Sequence, residues 1–508
     1  MNHWLTAPLL LPPLVGAIML MSLRHHLELA RVFSVASLAL LLVISGWLVA
    51  ESATGVIQSY ELGAWPAPFG IVLVLDRLSA LMVALTAAVG LATVLYAIGS
   101  GWDRRGRHFH ALMQFQVMGL AGAFLTGDLF NLFVFFEVLL IASYGLMVHG
   151  AGKRRLRAGV QYVVYNLLGS TLFLFALGAI YAVTGTLNMA DLALRVAEIP
   201  EANTGLIRVA AVLLLLVFAV KAALIPLHFW LPATYAEAPG PVAALFAIMT
   251  KVGVYSIIRV FTLIFGPSAA ATENLAQELV MPAAMLTLAL GAIGVFGART
   301  LGRMVAMATI GSVGTLLIAA SAFTPQSLAA ALYYLIHSTL ACAVLFLVVD
   351  LVRARRENGY DGLTPAAPIA QAGLVASLYF AAAIGMAGLP PLSGFIGKLL
   401  ILDAMRPQES AWLIWGLILL SSLIMIVGFA RAGIMVFWQT SDDTAEIRAT
   451  EPPPVLALAA IFGLLGVIVL VTLLAQPLLD FLGGAASQLH DPAPYIDAVL
   501  KRQGAGAP

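Results

Sequence analysis

Five ionisable side chains stand in stretches of this sequence that are otherwise almost wholly apolar. They are Glu137, Lys221, Lys251, His337 and Lys398. The chain has only five lysines, and three of them belong to this set. A cation at the centre of a membrane-spanning helix costs about 2.5–3.5 kcal/mol even on the mildest scale. A series of such groups at mid-depth therefore predicts a path along which protons move.

Glu137 and Lys221 are predicted to act as a pair. A lone carboxyl group in an apolar helix would take up a proton and become neutral, whereas a nearby cation keeps it ionised. Lys221 lies just before a predicted helix break, where the carboxyl end of a half-helix stabilises a positive charge. Lysine is suited to a relay because a buried lysine can release its proton, which arginine cannot do.

The other three groups extend this path. Lys251 lies in AIMTKVGVYSII and His337 in YYLIHSTLACAV. Lys398 follows a second break, GLPPLSGFIGK, near the amino end of a half-helix, whose dipole disfavours the charged form. We therefore expect Lys398 to release protons readily and Lys221 to hold its proton longer.

The relay interpretation has a structural alternative at each position. Glu137 and Lys221 can form a static ion pair, since membrane proteins also use fixed pairs. Lys251 can serve helix packing alone. His337 can be a packing residue whose polar atoms are satisfied locally.

Three more polar residues are secondary candidates. His228, in IPLHFWLP, is expected mainly to cap backbone carbonyls freed by the break. Asp128 stands at the edge of a span and is expected to cap the next helix rather than to carry protons. Asp403 is close to a helix end, and its role stays open. The predicted path leaves out three charged residues near span edges: Asp76, Arg77 and Arg431.

The composition indicates a polytopic membrane protein. The 508 residues are 61% hydrophobic and 10% charged, with a mean hydropathy of +0.99, far outside the range of soluble domains. The net charge of +1 gives no indication of a nucleic-acid partner. A single cysteine, Cys342, excludes an intrachain disulfide and a cysteine-based metal site. No motif for a catalytic group, quinone, flavin, nucleotide or iron–sulfur cofactor is present.

We predict an all-α fold with about fourteen transmembrane helices, at roughly 20 apolar residues per crossing. The first span is expected to be retained, because no basic residue precedes it as in a signal peptide. The predicted centres lie near residues 13, 41, 87, 117, 139, 171, 217, 253, 288, 311, 339, 388, 425 and 467.

Basic residues in the predicted loops are unevenly distributed. Alternate loops carry Arg24, Arg31, Arg104, Arg105, Arg107, Lys153, Arg154, Arg155, Arg157, Arg299, Arg303, Arg353, Arg355, Arg356 and Arg448. The opposite loops carry Arg195, Arg208, Arg406, Lys501 and Arg502. The positive-inside rule then places both termini outside the cytoplasm. The clusters, including KRRLR, are interpreted as topology signals rather than ligand sites.

Two spans are interrupted by proline, which removes a backbone donor and clashes with the preceding turn. The first contains Pro226 and Pro232, and the second Pro390 and Pro391. Paired breaks in corresponding places are typical of inverted-repeat transporters. The prediction is a three-helix segment (1–105), a first five-helix repeat (106–266), a second, inverted repeat (278–440) and a C-terminal helix with a tail (452–508).

Three segments resemble a known family. GDLFNLFVFFEVLLIASYGL, VKAALIPLHFWLPATYAEAPGPVAALFAIMTKVGVY and GMAGLPPLSGFIGK are similar to the antiporter-like subunits shared by respiratory complex I, membrane-bound hydrogenases and Mrp-type cation/proton antiporters. The surroundings of Glu137, the lysine at 398 and the chain length resemble the D subunits of the Mrp type. The resemblance implies fourteen helices with helices 7 and 12 broken.

The same resemblance implies roles for the buried groups. Glu137 and Lys221 would be the ion pair, Lys251 the central relay, His337 the link between two half-channels and Lys398 the outlet.

The resemblance also implies a function. The first hypothesis is a proton-translocating subunit of a multisubunit Na+(K+)/H+ antiporter in the bacterial cytoplasmic membrane, a transporter and not an enzyme. Its partners would be other membrane subunits, the lipid bilayer, protons and Na+ or K+. The alternatives are a proton-pumping subunit of a complex I or hydrogenase-type redox complex and a structural scaffold subunit. The sequence shows no carboxylate cluster suited to sodium, which favours proton conduction here with the cation path at least partly in a partner.

Overall fold

The computed structural model describes residues 3–200, 204–266, 269–356, 359–439 and 452–501. These residues form one strand pair, β1 Gln58–Glu61 and β2 Val72–Leu75, and short 3-10 helices at His3–Thr6, Leu62–Ala64, Trp102–Arg105 and Ala270–Thr272. The α-helices are, in chain order, α1 Ala7–Met21, α2 Leu27–Ser52, α3 Arg77–Ser100, α4 Phe109–Leu125, α5 Leu129–Met147, α6 Lys153–Thr184, α7 Met189–Ala197, α8 Thr204–Ala222, α9 Trp230–Glu237, α10 Gly240–Leu263, α11 Leu275–Gly297, α12 Leu301–Ala320, α13 Pro325–Arg355, α14 Ala372–Ala387, α15 Ser393–Ala404, α16 Ala411–Phe437, α17 Val455–Leu473, α18 Ala475–His490 and α19 Ala493–Leu500.

Long apolar runs account for the helices, since backbone groups in lipid must be satisfied within the segment. Twelve helices within the described residues are long and apolar enough to cross a membrane, and two shorter apolar helices are α4 and α14. The all-α, polytopic prediction is confirmed apart from the small β1–β2 hairpin. Each predicted span centre coincides with one of these helices, or with the interruption between α14 and α15. The count of fourteen crossings itself stays a prediction.

Both predicted helix breaks are present. The first separates α8 from α9, and the second separates α14 from α15. Pro226 lies in the first break, and Pro390 and Pro391 lie in the second. Pro232 was predicted to break a helix, but it lies in the first turn of α9. Proline is tolerated there because the first-turn amides have no intrahelical acceptor.

Helices α10 and α13 form the centre of the bundle. No residue in the most apolar 18-residue window of either helix is exposed. Helix α10 packs on α3, α4, α8 and α13, while α13 also packs on α12, α14, α15, α17 and α18. By contrast α2, α6 and α16 expose large apolar side chains such as Val43, Leu168 and Leu419. The charges of Lys251 and His337 are therefore carried by the two helices farthest from lipid.

The two predicted repeats share a packing pattern. The pair α4 and α5 packs together as the pair α11 and α12 does, and α6 packs on α8 as α13 packs on α14. Their inversion and the domain boundaries stay predictions. The region predicted as a C-terminal helix and tail contains α17 and two further helices, α18 and α19. Arg448 and Arg502, used for the orientation, lie outside the described residues.

Several basic residues assigned to loops are parts of helices. KRRLR forms the first turns of α6. Arg31 lies in the second turn of α2, where its Nε donates to Asp103 Oδ2 at 2.6 Å. Arg31 therefore also joins α2 to the segment before α4. The role of the basic clusters as topology signals stays a prediction.

Candidate proton path

The first break places Lys221 at the end of a half-helix. Lys221 is the next-to-last residue of α8, as predicted, and is 3% exposed. The Trp230 indole donates to the Val220 carbonyl at 3.0 Å, and Ile225 N donates to Thr287 Oγ1 at 3.0 Å. These side chains satisfy backbone groups that the break leaves free. The Lys221 amine itself has no hydrogen-bond partner among the described residues.

Glu137 and Lys221 do not form the predicted direct ion pair. The half-buried Glu137 carboxylate instead accepts a hydrogen bond from the Ser170 hydroxyl of α6. A small pocket beside the lysine is lined by Phe136, Ser170 and Lys221 among others. Lys221 Nζ lies 6.0 Å from the centre of the Phe136 ring. Helix α6 therefore supplies the hydrogen-bond partner of the Glu137 carboxylate, and the two charges are not in contact.

Lys251 occupies the most enclosed position of the five. Its side chain is 0% exposed on α10, and its amine has no hydrogen-bond partner within the described ranges. Gly253 lets α10 lie against the end of α8, since a Cβ there would overlap the backbone of Ala222. This contact places Lys251 at the depth of the first break, as expected for a central group.

His337 spans the second break. Its Nε2 lies 2.9 Å from the carbonyl of Gly385 in α14, and its Nδ1 lies 2.8 Å from Ser393 Oγ at the start of α15. A carbonyl oxygen only accepts, so Nε2 carries the hydrogen, and in the neutral ring Nδ1 accepts from the Ser393 hydroxyl. Lys398 and Lys251 are the two cations near enough to act on this ring. His337 is thus both a structural bridge and a titratable group between two lysines.

Lys398 follows the second break as predicted, but its amine has partners that the sequence did not reveal. Its Nζ donates to the carbonyl of Ala387, the last residue of α14, at 2.7 Å and to Ser422 Oγ of α16 at 2.8 Å. A helical side chain leans toward the amino end of its helix, so the amine reaches back across the break. It therefore lies between the negative carboxyl end of α14 and the positive amino end of α15. Contact with a half-helix carboxyl end is a feature that Lys398 shares with Lys221 and that the sequence did not predict. The expected contrast in proton release between the two lysines stays a prediction.

The closeness of α15 to His337 requires glycine at 394. A Cβ on Gly394 would overlap the Gly385 carbonyl and lie 2.5 Å from His337 Nε2. We expect Gly394→Ala to lower the stability of the assembled protein by about 1–3 kcal/mol, the usual cost of overpacking. The measurement is the unfolding temperature in detergent. Gly416→Ala is the matched control, since a Cβ on that glycine meets nothing within 4 Å. Equal unfolding temperatures for the two variants would contradict this account of the break.

Two of the secondary candidates, Asp128 and Asp403, have local structural roles. His228 Nδ1 has no hydrogen-bond partner among the described residues, so the expected cap on the freed carbonyls stays a prediction. Asp128 is the N-cap of α5 and accepts from Asn131 N at 2.8 Å, which confirms the predicted cap. Burial raises the pKa of Asp128 to about 6. Asp403 accepts from Gln326 and pairs with Arg406 near the end of α15, at the edge of the bundle.

Sequence reasoning missed the hydroxyl groups of the path. Ser170, Ser393 and Ser422 contact Glu137, His337 and Lys398 respectively. Each of these serines lies on a different helix from the charged or titratable group that it contacts. Serine is common in membrane helices, and only interhelical packing shows which hydroxyl faces a charge.

Sequence reasoning also missed a buried ion pair. Arg259 Nη2 lies 2.6 Å from Asp76 Oδ2, and both side chains are at least 95% buried. The pair joins α3 to α10 about two turns beyond Lys251. Arg431, also left out of the path, donates to the Phe296 carbonyl at 2.6 Å. A sequence signal for the pair existed in the in-span position of Arg259, but its partner is far away in the chain.

The described residues contain no group of three or more His, Cys, Asp or Glu side chains that could hold a metal ion. The buried groups are instead three amines, one imidazole and one carboxylate. This set can accept and release protons.

Known proteins similar to this chain are membrane subunits of cation/proton antiporters. The family model described as "NADH:quinone oxidoreductase/Mrp antiporter, TM" matches residues 126–430, a range that contains all five buried groups. The D subunit of a probable K(+)/H(+) antiporter of Rhizobium meliloti is 39% identical, covering 100% of this chain and 99% of the relative. The D subunit of an Na(+)/H(+) antiporter of Bacillus subtilis is 42% identical, covering 99% of this chain and 100% of the relative.

A solved structure shares the whole fold. A chain in the structure of the Mrp complex from Dietzia is similar with a TM-score of 0.86 and 27% sequence identity. The similarity covers 98% of this chain and 100% of that one. It therefore extends over both broken helices and over the regions outside the two repeats.

Proposed function

Because the chain belongs to the family of membrane subunits shared by NADH:quinone oxidoreductases and Mrp antiporters, we propose that it conducts protons in a multisubunit Na+(K+)/H+ antiporter. It is a multi-pass membrane protein and a transporter subunit rather than an enzyme, and other membrane subunits are its partners. The proton role is carried by one observation. Two buried lysine amines, Lys221 and Lys251, have no hydrogen-bond partner among the described residues.

In the first half of the path the moving part is the Glu137 carboxylate. A protonated Lys221 attracts the carboxylate, while a neutral Lys221 leaves it with Ser170. The position of the carboxylate therefore reports whether Lys221 carries a proton. Lys251, at the same depth, is the next acceptor toward the centre.

In the second half the imidazole transfers the proton. A neutral His337 ring holds its hydrogen on Nε2 toward Gly385 and accepts from Ser393 at Nδ1. To accept a proton at Nδ1, the ring needs the Ser393 hydroxyl to rotate away, so that both nitrogens become donors. Lys398 then takes or supplies the proton beside the end of α14.

The orientation follows from the distribution of basic residues. Arg104, Arg105, Arg155, Arg353 and Arg355 lie at one end of the bundle, the end at which α4 and α10 begin. The positive-inside rule makes this end cytoplasmic and places both termini on the other side of a bacterial cytoplasmic membrane.

The scaffold alternative is opposed by the same lysines. A buried charge without a partner destabilises a helix bundle, and an apolar residue of similar volume would hold it together better. The redox-complex alternative shares the family and the relay. The two are separated by asking whether exchange proceeds in vesicles with an imposed proton gradient and no redox substrate.

The test of the proposal is Glu137→Gln. The amide keeps the shape and loses the charge, so assembly should be unchanged. Exchange in everted vesicles should fall about tenfold, because the charge acts on Lys221 without direct contact and is worth about one strong hydrogen bond. Glu278→Gln, at an exposed site in the first turn of α11, is the matched control.

Three outcomes are distinguished by measuring the assembled complex alongside exchange. Reduced exchange with normal assembly supports the proposal. Failed assembly supports the structural alternative for Glu137. Parental exchange with normal assembly rejects a role for Glu137 in the path.

A further inference from the structure

A line of buried polar groups that the relay does not use runs along α3 toward Lys251. Its members are Asp350 of α13, Tyr96 and Thr93 of α3, and Gln116 of α4. All four side chains are at least 94% buried. They are called the α3 corridor below.

The corridor begins at a polar cavity. The cavity lies at the basic end of the bundle and is lined by Tyr96, Asp350, Arg105, Arg155, Arg353 and Arg355 among others. Asp350 accepts from Tyr96 OH at 3.0 Å and from the Trp102 indole at 2.9 Å. No arginine among the described residues contacts its carboxylate directly, since Arg353 pairs with Asp361 and Arg355 with Gln371. Asp350 is thus a carboxyl group held by neutral donors at the inner wall of a solvent-accessible cavity.

The far end of the corridor is Lys251. Gly240, the first residue of α10, lies directly against Asp350, because a Cβ there would overlap that side chain. Lys251 follows Gly240 by just over three full turns, so both residues lie on one face of α10, about 16 Å apart along its axis. The face of α10 that contacts Asp350 is therefore also the face that carries the buried Lys251 amine.

Thr93 lies between these ends. On α3, Gly90 faces Val117 of α4, and Tyr96 donates to α13. Thr93 is midway between Gly90 and Tyr96 in sequence, so its direction around the α3 axis is also midway between α4 and α13. The helix on that side is α10, which packs on α3, α4 and α13. Its Oγ1 has no hydrogen-bond partner in the described part of the chain.

Gln116 fills the remaining distance. Tyr255 of α10 donates to the carbonyl of Phe124, two turns beyond Gln116 on α4, and Lys251 lies one turn before Tyr255. Helices α4 and α10 begin at the same end of the bundle, so Gln116 lies about one turn nearer the cavity than Lys251. Both Gln116 amide atoms lack a partner within the described residues.

We propose that the α3 corridor is the inlet through which protons from the arginine-lined cavity reach Lys251. Buried polar atoms without protein partners are satisfied by water in native proteins, and Thr93 and Gln116 are positioned to hold such water between Asp350 and the amine. Only O–H and N–H bonds change along this route. The inlet rests on the proposed function and adds to it a role for α3, which lies outside both repeats.

The experiment uses the complete antiporter complex in everted vesicles. Thr93→Val keeps the side-chain shape and removes the hydroxyl, while Gln116→Leu removes both amide atoms. Each variant should lower the initial exchange rate about tenfold, the effect of losing one hydrogen-bonding site in a water chain. Thr86→Val is the matched control, since Thr86 is equally buried on α3 but donates to the Met82 carbonyl of its own helix.

Lys251→Met, measured in parallel, separates the inlet from the proposed function. Slow exchange in Thr93→Val and Gln116→Leu with parental exchange in Thr86→Val supports the inlet. Parental rates in Thr93→Val and Gln116→Leu, with exchange lost in Lys251→Met, overturn the inlet alone. Full exchange in Lys251→Met overturns the proposed function as well. If Gln116→Leu fails to assemble, the exchange rate of Thr93→Val alone tests the inlet. An equal loss of exchange rate in Thr86→Val also overturns the inlet.

Discussion

Replacement of Lys251 with methionine is expected to abolish cation/proton exchange while leaving the complex assembled. Methionine has nearly the length of lysine and removes a buried amine that has no partner in the described residues, so the bundle should be at least as stable as before. Loss of a positioned proton-transfer group typically costs roughly a hundredfold or more in rate. The measurement is dissipation of an imposed pH gradient on addition of Na+ or K+ to everted vesicles.

Lys501→Met is the control for this variant. Lys501 lies at the end of α19, where its exposed amine pairs with Glu61, and its loss should not affect the rate. Parental exchange in Lys251→Met, at equal amounts of assembled complex, would show that protons do not pass through this amine. The scaffold interpretation would then be preferred, since it requires only packing at this position.

Lys398→Arg is expected to stop exchange although it keeps the positive charge. The guanidinium can still donate to the Ala387 carbonyl and to Ser422, as the amine does now. It does not release a proton in a protein, so a relay that needs titration at this site should slow by roughly a hundredfold. If Lys398 served only as a structural cation at the end of α14, arginine would replace it without loss of exchange.

Two further variants make this result interpretable. Lys153→Arg, at the start of α6, is the matched control and should exchange at the parental rate. Gly388 leaves little room near the lysine stem, since a Cβ there would lie 2.7 Å from Lys398 Cδ. If the arginine variant therefore assembles poorly, Lys398→Met tests the loss of titration in a smaller side chain. Rapid exchange in either assembled variant would remove Lys398 from the path.

The sequence alone determined the helices, the two breaks and the identity of the buried titratable residues. Lipid-spanning segments must be long and apolar, so their positions are local properties of the chain. Proline acts on the turn in which it stands, and Pro226 and Pro390 accordingly mark both interruptions. Pro232 shows the limit of this rule, because the same residue type is accommodated in the first turn of α9. The rare lysines in apolar runs were equally visible.

Only the tertiary structure decided which partner each charge has. Glu137 binds Ser170 and not Lys221, and the Lys398 amine reaches back across the break to the last carbonyl of α14. Hydrogen bonds of this kind act over about 3 Å, and such distances between helices depend on packing at glycine contacts and on side-chain direction. The α3 corridor is invisible in the sequence for the same reason. Asp350, Thr93, Gln116 and Lys251 belong to four helices, and the proposed route exists only because α10 packs on the other three.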